Sequence, residues 1–589
     1  MVGPRSVGAS TNTTNTRGNT LAQAGSRFGR QGLALILVLA AAANALSALL
    51  VHPWPAATAF AEIADLDQMG WGRFGLIVSI AALLLLARAS ARGKRYAWLL
   101  VLGLLALSLA GALLERDALL TVLALLTLLL GTLLVARCFP RGGNRWAAVR
   151  GYAAVGIGVL LAIETIPLHH LLARPTAGLP AGSHAPLGLG FQALMALLIG
   201  CGVVEVLRPA RATHLPSMVD RETAREVVRR YGVLAVHHFA PNGDKRYFWS
   251  QSGRSLIAYR LAHGVAIALG DPVGPAEEFG DVLHDFVTFC RRQDWSIAVY
   301  QASAHLRRMS WAERLVGVRI GQEAMLDLDR FTLQGKAAAP VRHAVARAQR
   351  AGLTVQCWQG EAPPNAIFAK MRRVSADWLD SQPVRTQMGF SMGRFPDDWS
   401  PDLLTVAALE PTGDVAGFLT CTPLHAGNGW ACDNMRRVAA APPGTMELLI
   451  AEAIRWARAR GYAHLSLGLA PLASYECDHP SGEDTPAPPI PLAFAERSAA
   501  FLHRHGILLG HYRTLARFKA KFQPAWEPRY LLVGDIDQLP RILLALAAAL
   551  GAISRGRPHN TSRRRPQMRL PFQLPSRPAS DVTAPRSPA

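Results

Sequence analysis

The chain has 589 residues, 50% hydrophobic and 17% charged, with 62 Lys+Arg against 41 Asp+Glu for a formal net charge of +21. A mean hydropathy of +0.17 excludes a largely disordered chain, and a pI near 10.4 points to anionic partners, either nucleic acid or acidic lipid. The seven cysteines (Cys138, Cys201, Cys290, Cys357, Cys421, Cys432 and Cys477) form no CxxC pair and no His/Cys cluster at ligand spacing. That pattern argues against a zinc site or a disulfide scaffold and for a reducing compartment.

Residues 1–30 are rich in Ser, Thr, Asn and Gly, carry four arginines and no acid, and read as a disordered basic leader. A membrane domain of about six helices is expected over 31–207. The runs 31–51, 96–114, 118–136 and 187–204 contain no charge, and 74–87 and 151–172 complete the set. The second run is short and the fifth contains Glu164. That glutamate is either an interfacial residue or a proton or substrate site, because charge inside a bilayer is costly. Basic residues cluster in alternate loops: Arg88, Arg92, Lys94 and Arg95; then Arg137, Arg141, Arg145 and Arg150; then Arg208 and Arg211. The intervening loops are poor in them. By the positive-inside rule, both termini and everything after about residue 208 face the cytoplasm.

From about 216 to 545 the pattern changes to alternating strands and helices. Strands are expected at 255–259 and 265–269, the latter ending at Gly270-Asp271-Pro272, then a helix at 278–292 and a strand at 296–300. A second round follows: helix 365–379, strands 404–408 and 415–422, helix 445–460 and strand 464–467. Two α/β rounds of similar size imply a duplicated fold, with lobes at 208–375 and 376–545. The tail, 546–589, is rich in Pro and Arg and reads as disordered and held near anionic headgroups.

Several constellations lie in the second round. Asp433-Asn-Met-Arg436 places a carboxylate and a guanidinium three residues apart, close to the chain reversal at Gly427–Gly429. Its plain alternative is a surface ion pair contributing at most about 1 kcal/mol. Glu447 opens an amphipathic helix, where a carboxylate also simply favours the helix N-terminus. The segment from Ser466 to Leu472 runs an apolar strand into a Gly/Pro loop that admits close approach of a ligand. Between Phe518 and Tyr530, Lys519, Lys521 and Arg529 alternate with aromatics, as in phosphate-gripping grooves.

In this order, residues from about 219 to 533 resemble the catalytic domain of the lysylphosphatidylglycerol synthase (multiple peptide resistance factor) family. The matching residues are Gly270-Asp271-Pro272, Gly321-Gln-Glu323-Ala, and Phe331-Thr-Leu-Gln-Gly335-Lys336 with Arg342 in the next helix. Further on they are Trp378-Leu379, Asp433-Asn-Met-Arg436, the segment at Ser466, and Phe518-Lys-Ala-Lys-Phe522 with Trp526 and Arg529-Tyr530. At Ser466 this chain departs from an Asn frequent in the family. The resemblance covers about half the chain and implies two tandem GNAT-like acyltransferase lobes. It also implies an aminoacyl-tRNA donor, a phosphatidylglycerol acceptor, no acetyl-CoA or other cofactor, no metal and no DNA partner. Lysine is the amino acid expected, with alanine the other candidate.

An aminoacyl ester is already activated, so its transfer to a lipid hydroxyl needs a site that holds two anionic reactants and manages one proton and one oxyanion. On that basis Asp433 is expected to handle the acceptor hydroxyl or the ammonium of the amino acid, and Arg436 phosphate or the oxyanion. Lys519 and Lys521 are expected to hold the tRNA terminus or the lipid phosphate. Glu323, Glu447, Arg342 and Ser466 are further substrate-binding candidates. Two other functions fit the same sequence: a lipid transporter with a degenerate transferase domain, and a tRNA-dependent transferase acting on a peptide or cell-wall precursor.

Overall fold

The computed structural model describes residues 28–43, 45–46, 72–114, 119–139, 142, 144–172, 185–209, 215–382, 387–397, 399–471 and 510–551. Residues 1–27, 552–589 and most of the loops between the expected membrane helices lie outside these residues; 28–30 and 546–550, expected in the disordered leader and tail, are helical, with Leu546 and Ala549 buried.

Leu- and Ala-rich runs, made of strong helix formers, give helices where the uncharged segments predict them. These are α1 (28–43), α2 (Gly72–Ala91), α3 (Arg95–Leu114), α4 (Leu119–Leu134), α5 (Arg145–Leu172) and α6 (Ala185–Val206). Among the described residues, no helix is long and apolar enough to cross a membrane. The helices pack through Leu33, Leu86, Trp98, Phe139, Val155 and Val203, yet much of their apolar surface stays outside. Leu119, Leu120 and Leu134 are 72%, 80% and 85% exposed. Lys94 joins this layer to the rest of the protein through an ion pair with Asp294 at 2.6 Å.

The second half is an α/β structure on one sheet of eleven strands. The strands are β1 (Arg246–Trp249), β2 (Leu256–Ala262), β3 (Val265–Leu269), β4 (Ser296–Ala302), β5 (Val316–Asp327) and β6 (Thr354–Trp358). The remainder are β7 (Leu404–Leu409), β8 (Val415–Leu424), β9 (Gly429–Arg437), β10 (His464–Pro471) and β11 (Ala525–Val533). Their order is β1-β2-β3-β4-β11-β5-β10-β9-β8-β7-β6. Each half contains one parallel pair: β3 runs beside β4, and β9 beside β10. In each, the connection carries a helix, α8 (Phe279–Arg292) in the first half and α12 (Thr445–Arg458) in the second. The repetition is the duplicated fold that the alternating pattern implies.

The halves exchange their final strands. β5, from the first half, lies against β10 of the second, while β11, at the end of the second, lies between β4 and β5. The chain order of residues therefore does not divide the sheet cleanly. The boundary expected at 375/376 falls inside helix α11 (Asn365–Asp380), whose Met371 and Val374 pack with Phe418 of β8.

Sequence chemistry sets the helix starts. Helix α7 (Met218–Tyr231) opens with a capping box in which the Ser217 hydroxyl accepts from Asp220 N–H and the Asp220 carboxylate accepts from Ser217 N–H. Before α12, Gly444 sits at φ +98°, where a Cβ would lie 2.1 Å from the Ala344 carbonyl oxygen, so only glycine fits. The core of the second lobe then forms between α12 (Leu448, Leu449, Ile454), α10 (Ala339–Arg350; Val341, Val345) and the strands.

Candidate functional site

The parallel pair β9–β10 stays in register only for His464–Ser466 against Gly429–Ala431; beyond Ser466 no pairing continues and the strands part. Asp433, Asn434 and Arg436 lie on β9 past that point, and Gly468 to Pro471 lie on β10. Such a wedge exposes two backbone edges to a ligand at the centre of the sheet. Asp433-Asn-Met-Arg436 thus lies mid-strand, and the chain reversal precedes it at Leu424–Gly429. The pairing of β9 with β8 slips between Leu419 and Cys421, so residues 433 and 434 together oppose Thr420. A bulge of this kind re-aims side chains at functional edges. Here it lets Asp433, Asn434 and Arg436 address the same loop, 387–397.

Asp433 accepts the N–H of Gly393 at 3.0 Å and the side-chain amide of Asn434 at 2.7 Å. Gly393 is required by this approach, because a Cβ there would stand 2.4 Å from Asp433 Oδ2. Arg436 is 4% exposed and donates to Ser375 Oγ, to Gln387 Oε1 at 2.9 Å and to Asn434 Oδ1 at 2.9 Å, with its guanidinium over the Trp378 ring. Burial lowers its pKa to about 10, opposed by the Asp433 charge. Asn434 touches both charged neighbours and is the residue that couples them.

On the other wall, a second network centres on Glu323 of β5, which is 3% exposed. Its Oε1 accepts from Ser466 Oγ at 2.5 Å, and its Oε2 accepts from Arg529 Nε at 2.8 Å and Nη2 at 2.6 Å. Arg529 Nη2 also reaches Glu527 at 2.9 Å. The Ser466 hydroxyl in turn accepts from Gly468 N–H at 3.0 Å, and Gly468 takes a left-handed φ of +81°. Lys519, near the end of α13 (Gly510–Ala520), donates to the carbonyls of Gly468 at 3.0 Å and Leu469 at 2.8 Å. Burial lowers the Lys519 pKa to about 8, against the raising effects of Cys432 and Glu323. Two cations and a carboxylate therefore lock the kink in β10 that opens the wedge.

The remaining candidates lie apart from these networks. Lys521 pairs with Glu447 at 3.0 Å and its ammonium lies over the Phe518 ring; it is the more exposed partner, at 42%. Glu447 occupies the first turn of α12 and is buried. Arg342 donates to the carbonyls of Leu333 at 2.7 Å and Gly335 at 3.1 Å, tying down the loop that contains Phe331 to Lys336. Arg529, Asn434, Gln387 and Ser375 were not among the expected site residues. A signal existed for Arg529, in the run of cations and aromatics ending at Tyr530. For Gln387 and Ser375 none did, since only the fold brings them to Arg436. Among the described residues, no group of three or more His, Cys, Asp or Glu is arranged to hold a metal ion.

Fold and site together define an α/β protein with two strand–helix–strand repeats on one sheet and a polar wedge in the second. Residues 225–533 match the family described as phosphatidylglycerol lysyltransferase, C-terminal, and the chain belongs to that family. Among curated relatives, a lysylphosphatidylglycerol biosynthesis bifunctional protein LysX of Mycobacterium avium is 32% identical over 377 residues, covering 62% of this chain and 30% of that protein. The protein of the same name from Mycolicibacterium gilvum is 30% identical over 429 residues, 69% of this chain and 38% of its own. The chain thus spans well under half the length of these relatives. Two solved structures are similar over 58% of this chain and 99% of theirs. They are L-PGS from Bacillus licheniformis (25% identity, TM-score 0.48) and the C-terminal domain of a putative lysylphosphatidylglycerol synthetase from Agrobacterium fabrum (28%, 0.49).

Proposed function

We propose that the protein transfers a lysyl group from lysyl-tRNA to phosphatidylglycerol at the cytoplasmic face of a membrane. The observation that carries this reading is the wedge between β9 and β10, in a family whose name is that reaction, with the Asp433 carboxylate on one wall. In the reaction a glycerol hydroxyl of the lipid attacks the ester carbonyl carbon, the bond to the tRNA ribose oxygen breaks, and the hydroxyl proton ends on that oxygen. One ester replaces another, so the step needs no energy source, cofactor or metal. Asp433 receives the hydroxyl proton or holds the α-ammonium of the amino acid; its two hydrogen bonds fix the carboxylate for either task.

Arg436 acts as a positioning residue, with three of its five donors on Ser375, Gln387 and Asn434. Glu323, Ser466, Arg529 and Lys519 keep the strands apart, and the partly exposed Lys521, paired with Glu447, offers its ammonium to phosphate. The product adds cationic charge to the membrane surface, which would oppose cationic peptides.

The same reading has helices 31–207 in the bilayer, both termini on the cytoplasmic side. The exposed leucines of α4 support it, because such apolar surface suits lipid. So do the contacts of two basic loops with the α/β domain, Lys94 with Asp294 and Gly142 against Arg292. The test is thin-layer chromatography of lipids from a host fed labelled lysine. A new labelled, ninhydrin-positive lipid is expected with the native chain and not with Asp433→Asn; equal amounts from both would remove Asp433 from the chemistry.

A further inference from the structure

Away from the wedge, a cavity of about 260 Å³ lies where the N-terminal helices meet the α/β domain. It is lined by Arg88, Arg92 and Lys94, around the turn between α2 and α3, together with Arg541 of α14 (Leu539–Leu550), Leu207 and Asp294. Four cations thus face one carboxylate. That carboxylate is engaged: Asp294 pairs with Lys94 at 2.6 Å, and the Lys94 ammonium also donates to the Leu207 carbonyl at 2.5 Å. Burial lowers the Lys94 pKa; Asp294 raises it, and the charges of Arg92 and Arg541 lower it further. Burial is the largest of these influences and Asp294 the next; the positive excess lies in four cations lining a cavity that has one carboxylate. Converging cations of this kind are stabilised by a bound anion, and guanidinium forks match tetrahedral oxyanions.

We propose that this cavity binds a phosphate group, with the headgroup of an anionic phospholipid as its source. The size argues for a headgroup rather than a whole lipid, since ligand pockets for larger molecules start at about 300 Å³. The position argues for lipid: among the lining residues, Arg88 lies in the last turn of the apolar helix α2 and Leu207 directly follows the apolar helix α6. This placement rests on the membrane reading above, but the site is separate from the proposed acceptor site, and bound lipid there would fasten the transferase domain to the membrane surface.

The experiment is hydrogen–deuterium exchange on the detergent-solubilised full chain, titrated with dihexanoylphosphatidylglycerol, dihexanoylphosphatidylcholine, inorganic phosphate or tRNA. The phosphatidylglycerol should slow exchange in peptides covering 88–95 and 538–541, and the phosphatidylcholine should not. Arg88→Gln with Arg541→Gln should weaken that protection about tenfold or more, leaving peptides of 429–437 as they are in the native chain. Arg541→Lys, which keeps the charge and loses the fork, should weaken it less. Inorganic phosphate acting as well as the lipid supports the phosphate site and makes the free ion its source. No protection by either phosphate probe, protection by tRNA alone, or an unchanged titration in the double variant overturns the proposal. Because exchange is read without turnover, failure of lysyl transfer leaves this outcome independent.

Discussion

Replacing Arg529 by Met tests whether the centre of the sheet is held by a buried ion pair. The guanidinium and the Glu323 carboxylate are 5% and 4% exposed, and two donors of Arg529 converge on one oxygen at 2.6 and 2.8 Å. Removing the cation leaves a buried carboxylate whose remaining side-chain donor is the Ser466 hydroxyl. Losses of this kind cost about 3–5 kcal/mol. Glu323→Gln is the milder change, because Arg529 keeps Glu527, which is 46% exposed and solvated. It should cost about 1–3 kcal/mol. The double variant should then be more stable than the two single losses add up to, by about 1–3 kcal/mol. Urea unfolding followed by tryptophan fluorescence gives all three values. A loss below about 1 kcal/mol for Arg529→Met, or strict additivity in the double variant, would refute the reasoning.

His237 is 1% exposed, with Nδ1 accepting the Leu234 N–H and Nε2 donating to the Asp271 carbonyl, which fixes the neutral tautomer. Burial lowers its pKa from 6.5 to about 4, opposed by the Asp271 carbonyl. Between those values the unfolded chain binds a proton that the folded chain refuses. Stability from this residue is therefore present above about pH 6.5 and lost as pH falls toward 4, by about 1.4 kcal/mol per pH unit at the steepest. Unfolding midpoints across that range should fall more steeply in the native chain than in His237→Gln. Gly393→Ala puts a methyl group 2.4 Å from Asp433 Oδ2. It should cut lipid lysylation about tenfold or more while circular dichroism stays native, and full activity would show that the Gly393–Asp433 contact does not position the carboxylate.

The strands and helices legible in the sequence were those with one clear period. Val265-Ala-Ile-Ala-Leu269 is buried at every position, and Thr445–Arg458 is amphipathic and begins after a glycine that its turn demands. β9 was hidden because its second half is polar: Asp433, Asn434, Arg436 and Arg437 break the apolar pattern and suggest a surface turn. In the structure Arg437 stays exposed, while Asp433, Asn434 and Arg436 are satisfied by the loop 387–397 and by Ser375, contacts of long sequence separation that no local pattern encodes. β5 and β11 escaped for a related reason. Their buried charges, Glu323 and Arg529, pair with each other across 206 residues, so each alone reads as a surface position. The motif order pointed to the correct family, whereas the geometry that brings those motifs together comes from strand exchange.

The most direct measurement mixes the purified full chain with lysyl-tRNA carrying labelled lysine and vesicles of phosphatidylglycerol, and follows label entering the organic phase. Label should appear there in a lipid that runs as a lysyl ester, stop on prior ribonuclease treatment, and fall at least about 100-fold in Asp433→Asn. No labelled lipid from lysyl-tRNA, or label that persists after ribonuclease, would contradict transfer from tRNA to lipid in the β9–β10 wedge.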